Sequence, residues 1–210
     1  MKILRIASVA LIFFAPILIS ACSSNKTLPP ATTYPSLTTD ISDYQYLIGP
    51  GDNLQIFVWR NPDVSGSFIV RPDGKITSSL VEDIQVSGKT PATLAREIEK
   101  SLSTYIRDPK VTVSVTRFSG PFSEQVRVIG EATEPKAVNY QEQMTMLDLM
   151  VAVGGLKEFA DGNGAKLIRV IDGQQQQFNV KLDDLIRDGD IKANIDILPG
   201  DILIIPEAWY

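Results

Sequence analysis

Chemistry in this chain would have to come from few side chains. There is no histidine and a single cysteine, Cys22, so Ser-His and Cys-His nucleophilic schemes are excluded, as are the usual zinc sites built from those ligands. One cysteine also rules out a disulfide within the chain. Paired carboxylates remain, since glycoside cleavage needs only two of them held close together. The candidates are Asp52, Asp73 and Asp201. Each sits beside glycine in a turn, where an aspartate that hydrogen-bonds nearby backbone already has a structural reason to be present. Neither Gly49-Pro50-Gly51 nor Gly130-Glu131 has the spacing of a dinucleotide or P-loop phosphate cradle. The expectation is a protein that is not an enzyme, with no catalytic residue, no metal and no cofactor.

Cys22 has a different prospect. Lys2 and Arg5 precede an apolar run over residues 6–19, which ends in Ser20 and Ala21 directly before the cysteine. A basic start, an apolar stretch and small residues at its end mark a secretory signal. Residues 6–21 are fewer than the roughly 20 that a membrane-spanning helix needs, and Pro16 interrupts them. Ile19-Ser20-Ala21-Cys22 resembles a lipobox. That resemblance implies a diacylglycerol on the thiol, cleavage after residue 21 and acylation of the new amine. At about 0.8 kcal/mol per buried methylene, such chains hold a protein on a bilayer. Ser23, which is not acidic, implies onward transfer to the outer membrane. Removal of the signal peptide, residues 1–21, takes the formal charge from −5 to −7. No basic cluster is present, which argues against nucleic acid as a partner.

The elements that position these residues follow from pattern. Residues 22–45 are rich in Ser, Thr and Pro and read as a flexible tether. After the turn Ile48-Gly49-Pro50-Gly51-Asp52, alternation of Leu54, Ile56 and Val58 predicts a strand over 54–59. Asn61-Pro62 ends it, a short strand follows at 68–70, and Arg71-Pro72-Asp73-Gly74 makes a tight turn into Ile76. Thr90-Pro91 reads as N-cap and first helical residue, with Leu94, Ile98, Leu102 and Tyr105 on one face and a stop before Asp108-Pro109. Val111, Val113 and Val115 then alternate with hydroxyl residues as a half-buried strand. Phe118-Ser119-Gly120-Pro121 reads as a joint between domains. Beyond it come a strand at 126–130, a helix at 146–153 opened by a Thr145/Asp148 capping box and closed by Gly154-Gly155, a hairpin turning at Asp172-Gly173, and an apolar strand at 202–205. The fold class is α+β, with folded domains over 46–118 and 122–206 and a tail at 207–210. Pro-Gly-Asp occurs twice, at 50–52 and 199–201, and reads as two strand-entry turns, not as an internal repeat.

Tyr46 to Asp52 with the strand at 54–59, Val70-Arg71-Pro72-Asp73-Gly74-Lys75-Ile76, and Asp108-Pro109 with 111–115 together resemble the polysaccharide biosynthesis/export domain of Wza-type outer-membrane exporters. Val128-Ile129-Gly130-Glu131, Thr145 to Asp148, Ala152 to Gly155 and Pro199-Gly200-Asp201 are similar to the SLBB domain, a soluble-ligand-binding β-grasp unit, that follows in that family. The resemblance spans about residues 46–206. It implies a homo-oligomeric ring on the periplasmic side of the outer membrane, stacked toward an inner-membrane copolymerase, with the polysaccharide passing through. A conduit of this kind needs a wide hydrated lining and no catalytic groups.

Larger members of that family carry a terminal amphipathic helix that lines the pore, whereas here only Pro206-Glu207-Ala208-Trp209-Tyr210 follows Ile205. Five residues opening with proline cannot span a bilayer. The expectation is a separate outer-membrane β-barrel protein as the pore, with Trp209 and Tyr210 as candidates for contact with it or with lipid headgroups. The competing reading is a monomeric periplasmic glycan-binding lipoprotein that stacks sugars on Trp59 or Tyr44, although Trp59 is expected to be a packing residue at the end of its strand.

Overall fold

A computed structural model describes residues 37–38, 43–80 and 82–209. The signal peptide, Cys22 and Tyr210 lie outside the described residues.

The first folded part is built on β1 (Asn53–Val58), which runs antiparallel between β2 (Gly66–Ile69) and β5 (Val111–Arg117). Alternation along β1 buries Leu54, Ile56 and Val58 on one face, and Val111 and Val113 of β5 join them. On that face lies α1 (Pro91–Leu102), with Leu94, Ala95, Ile98 and Leu102 buried. Each aliphatic side chain so buried contributes about 1.5–3 kcal/mol, which is what fastens helix to sheet. The helix opens as expected: Pro91 occupies its first turn and the Thr90 hydroxyl accepts the Thr93 N–H. It closes earlier than expected. The Tyr105 N–H reaches back only three residues, to the Leu102 carbonyl, a tighter turn than the α-helical one, and the helix ends at Leu102. Tyr105 consequently misses the apolar face and is 65% exposed. A two-stranded ribbon, β3 (Lys75–Ile76) with β4 (Ile84–Gln85), completes this part, entered by the turn in which Gly74 N–H bonds the Arg71 carbonyl.

The second part is a mixed five-stranded sheet in the order β7 (Ala137–Asn139), β6 (Gln125–Gly130), β10 (Ile202–Ile205), β8 (Lys166–Ile171), β9 (Gln174–Asn179). The last strand is central, parallel to β6 and antiparallel to β8. Its apolar run suits that place, because Leu203 and Ile205 are buried on one face and Ile202 and Ile204 are half-buried on the other. Met146, Leu149 and Met150 of α2 (Met146–Ala152) and Leu182 and Leu185 of α3 (Leu182–Ile186) pack with Val126, Val128, Leu167, Leu203 and Ile205 in one core. The capping box of α2 is complete, with Thr145 and Asp148 bonding each other's backbone N–H. At its other end Gly154 and Gly155 N–H return to the carbonyls of Val151 and Met150, closing the last turn. Asp172 and Gly173 both adopt positive φ at the hairpin tip, and Gln174 to Gln177 lie exposed on β9.

Candidate functional site

The two Pro-Gly-Asp segments form the same turn. In each, the aspartate N–H donates to the carbonyl three residues back, Gly49 or Leu198, at 3.2 Å. Its carboxylate then accepts the N–H of that same residue, at 2.9 and 2.8 Å. Proline stands second and glycine third, with φ of +89° at Gly51 and +83° at Gly200, the geometry of a type II turn. Both aspartates are fully buried.

Their other contacts differ. Asp52 accepts the Tyr46 hydroxyl at 2.7 Å and, on its second oxygen, the N–H groups of Ser119 and Gly120 at 2.5 and 2.9 Å. Those two residues belong to the joint between the folded parts. Gly49 lies so close to this joint that a Cβ there would fall 2.0 Å from the Gly120 carbonyl carbon. Burial, reinforced by the hydrogen bond to Asp52, pushes the Tyr46 phenol far above its usual range, so it remains a donor. Asp201 is engaged instead by a two-pronged contact from the Arg169 guanidinium, at 2.9 and 2.7 Å, and Arg169 also reaches the Asp196 carbonyl.

Asp73 bonds Arg71, whose other nitrogen holds Asp83. The three carboxylates considered as catalytic candidates thus serve three separate structural networks. The sequence pointed to structural aspartates in these turns but gave no sign that Asp52 latches the joint, because its partners lie 67 and 68 residues away.

Part of the expected tether is held. Glu124, buried just after the joint, accepts the Leu37 N–H at 2.6 Å and the Thr38 hydroxyl at 2.8 Å. Tyr44 packs edge-on against Tyr140 with ring centres 5.0 Å apart, and Tyr46 does the same with Phe118 at 5.1 Å. Tyr44 is therefore a packing residue of the junction, not an open sugar platform. Its phenol is raised by burial and then by the Glu124 charge.

Trp59 departs from expectation in the opposite sense. Two residues after Phe57, it falls on the outer face of the sheet, because side chains alternate along a strand. It is 58% exposed, Phe57 is 48% exposed, and the two rings meet edge to face at 6.3 Å. The strand period that places Val58 inside also places Phe57 and Trp59 outside, so the alternation itself is the signal for both. Trp209 is also free of the core, at 95% exposure. The backbone beneath it is tied, Ala208 N–H donating to the Phe159 carbonyl and Glu207 bridging Ala160.

Comparisons with known proteins fit this two-part layout. The family described as "Polysaccharide biosynthesis/export protein" matches residues 40–116 and the SLBB domain matches residues 124–205. The interval between them holds Ser119 and Gly120, the residues Asp52 grips. The EPS I polysaccharide export outer membrane protein EpsA of Ralstonia nicotianae is 28% identical over 187 residues, which cover 77% of this chain and 47% of that protein. The capsule polysaccharide export protein BexD of Haemophilus influenzae is 26% identical over 186 residues, covering 80% and 45%. The exopolysaccharide production protein ExoF of Rhizobium meliloti is 28% identical over 131 residues, covering 56% and 30%. The chain thus spans about half the length, or less, of these relatives. With both domains matched in order, this chain carries a polysaccharide biosynthesis/export domain followed by an SLBB domain, the make-up of a polysaccharide export protein and not of an enzyme.

Proposed function

We propose that the chain is a lipid-anchored subunit of a polysaccharide export conduit on the periplasmic side of the outer membrane. The observation that carries this reading is the succession of an export domain and an SLBB domain in one chain whose relatives are named for polysaccharide export. In this reading Cys22 bears the acyl anchor, and identical copies assemble side by side into a ring through both domains, 46–118 and 122–206. The ring stacks toward an inner-membrane copolymerase, and a separate outer-membrane β-barrel protein supplies the pore. Trp209 and Tyr210 meet that protein or the headgroup zone, for which the exposure of Trp209 leaves the indole available. The latch at Asp52 supports the reading, since a stacked ring needs its two domains to hold one orientation.

Deleting the gene should abolish surface polysaccharide, and the intact gene should restore it. Cross-linking in cells should give a ladder of homo-oligomers, and only monomer at native expression with export running would overturn the ring. The exposed pair Phe57 and Trp59 favours a second reading, a monomeric periplasmic glycan-binding lipoprotein. Sizing of the detergent-solubilised chain separates the two.

A further inference from the structure

The outer face of the β2–β1–β5 sheet carries an aromatic pair set among mostly neutral polar side chains. Phe57 lies opposite Thr112 on β5, and Gln55 lies opposite Ser114 on β5 and Ser67 on β2, while Trp59, just past the end of β1, donates its backbone N–H to the Lys110 carbonyl and turns its ring to Phe57. All of these side chains are exposed. The Phe57 and Trp59 rings meet at 76°, so the edge of one touches the face of the other. Each ring keeps about half its surface open to solvent.

We propose that this face is a glycan-contact surface, on which Phe57 and Trp59 form a stacking platform and Gln55, Thr112 and Ser114 supply hydrogen-bond partners. The proposal rests on the export reading, since it names the polysaccharide itself as the occupant. A sugar ring offers an apolar C–H face and a rim of hydroxyls. The negative face of an aromatic ring attracts the first, and hydroxyl and amide side chains, which both donate and accept, match the second. No formal charge stands among Gln55, Phe57, Ser67, Thr112 and Ser114, and Lys110, across from Trp59, is already paired with Asp108 at 3.0 Å, so an uncharged hydroxyl-rich ligand desolvates little that is costly there. A nucleic acid or an anionic headgroup would call for a cluster of Lys or Arg at these positions, not one lysine already paired with an aspartate. Two rings with polar surroundings make a weak contact, which suits a passing polymer: a conduit must let its cargo leave as readily as it enters.

The test uses the full chain in detergent and, as probe, the polysaccharide precipitated from the medium of cells that express it, set into a native gel. The chain should be retarded in the gel. The double variant Phe57→Ala/Trp59→Ala should bind about tenfold more weakly, equivalent to roughly 1.4 kcal/mol, while Trp209→Ala should behave as the parent. Both altered residues are exposed, and unchanged circular dichroism would confirm an intact fold. A double variant retarded as strongly as the parent, or a parent not retarded at all, overturns the proposal. The gene deletion decides the export reading separately: export lost on deletion with binding unaltered in the double variant would sink this surface alone. Cysteine placed by Ser114→Cys provides the other arm. Homodimers cross-linked through it would make the face a subunit contact and also overturn the glycan assignment.

Discussion

The turn at residues 49–52 and the turn at residues 198–201 share three of four residues and the same two hydrogen bonds back to the first position. The difference lies in what surrounds them. At the first position, one has glycine and the other leucine. Gly49 faces the backbone of Gly120 with no room for a side chain, whereas Leu198 is half-buried. Asp52 binds across the joint between the two domains, and Asp201 binds within its own sheet through Arg169. The same local signal therefore builds a latch in one place and a strand anchor in the other. Only long-range packing distinguishes them.

Substitutions can break this comparison. The largest effect should come from Asp52→Ala, which leaves three N–H groups and the Tyr46 hydroxyl without their acceptor in a buried place. A loss of at least about 3 kcal/mol is expected in urea unfolding, because each stranded donor costs roughly 1–3 kcal/mol. A loss below about 1 kcal/mol would show that Asp52 does not hold the joint. Gly49→Ala comes next, at roughly 2–3 kcal/mol from overpacking against the Gly120 backbone. Leu198→Ala at the equivalent position should cost less, and equal losses would erase the distinction drawn between the turns.

Asp201→Ala should cost about 2 kcal/mol, since Arg169 is partly exposed and can be rehydrated while keeping the Asp196 carbonyl. Hydrogen exchange should then rise in β8 and β10 but not across the joint. Exchange that rises equally at Ser119 and Gly120 would mean that the two turns act as one unit.

The smallest effect concerns a local cap that neither turn touches. Hydrogen bonds from the Thr145 hydroxyl and then its N–H hold the Asp148 carboxyl below its ordinary value of 3.8. The folded value is lower than the unfolded one, so the stabilisation is complete above the ordinary value and disappears as pH falls through the folded value. Amide protection of α2 should therefore decline on acidification in that window. Asp148→Asn should flatten the decline, and an unchanged pH profile in that variant would remove the cap as its cause. Thr145→Ala should cost about 1 kcal/mol at neutral pH.

What was legible in the sequence was local. Thr90-Pro91, Thr145 with Asp148, Asp172-Gly173 and both Pro-Gly-Asp turns specify their structure within a few residues, and the structure forms each as the sequence predicts. Tyr105 was misplaced because helical spacing was continued past Leu102, where the chain turns back on that residue's carbonyl. Trp59 was assigned to packing although the alternation of β1 places it outward with Phe57. The roles of Asp52 and Glu124 were beyond reach, for their partners lie 67, 68, 86 and 87 residues away. Cooperation over such separations leaves no periodicity to read.

Glu124 has a mechanical consequence. If Cys22 carries the acyl anchor proposed above, residues 23–36 alone separate it from the clasp at Leu37, and a fully extended chain gains at most about 3.3–3.6 Å per residue. On that proposal the clasp would stand no more than about 50 Å from the leaflet that holds the lipid. Because Glu124 lies beside the joint, its N–H bonded to the Pro121 carbonyl, the segment at Leu37 and Thr38 is held next to the junction of the two domains. The load of a tethered chain would enter between the two domains, at the place where Asp52 locks them together.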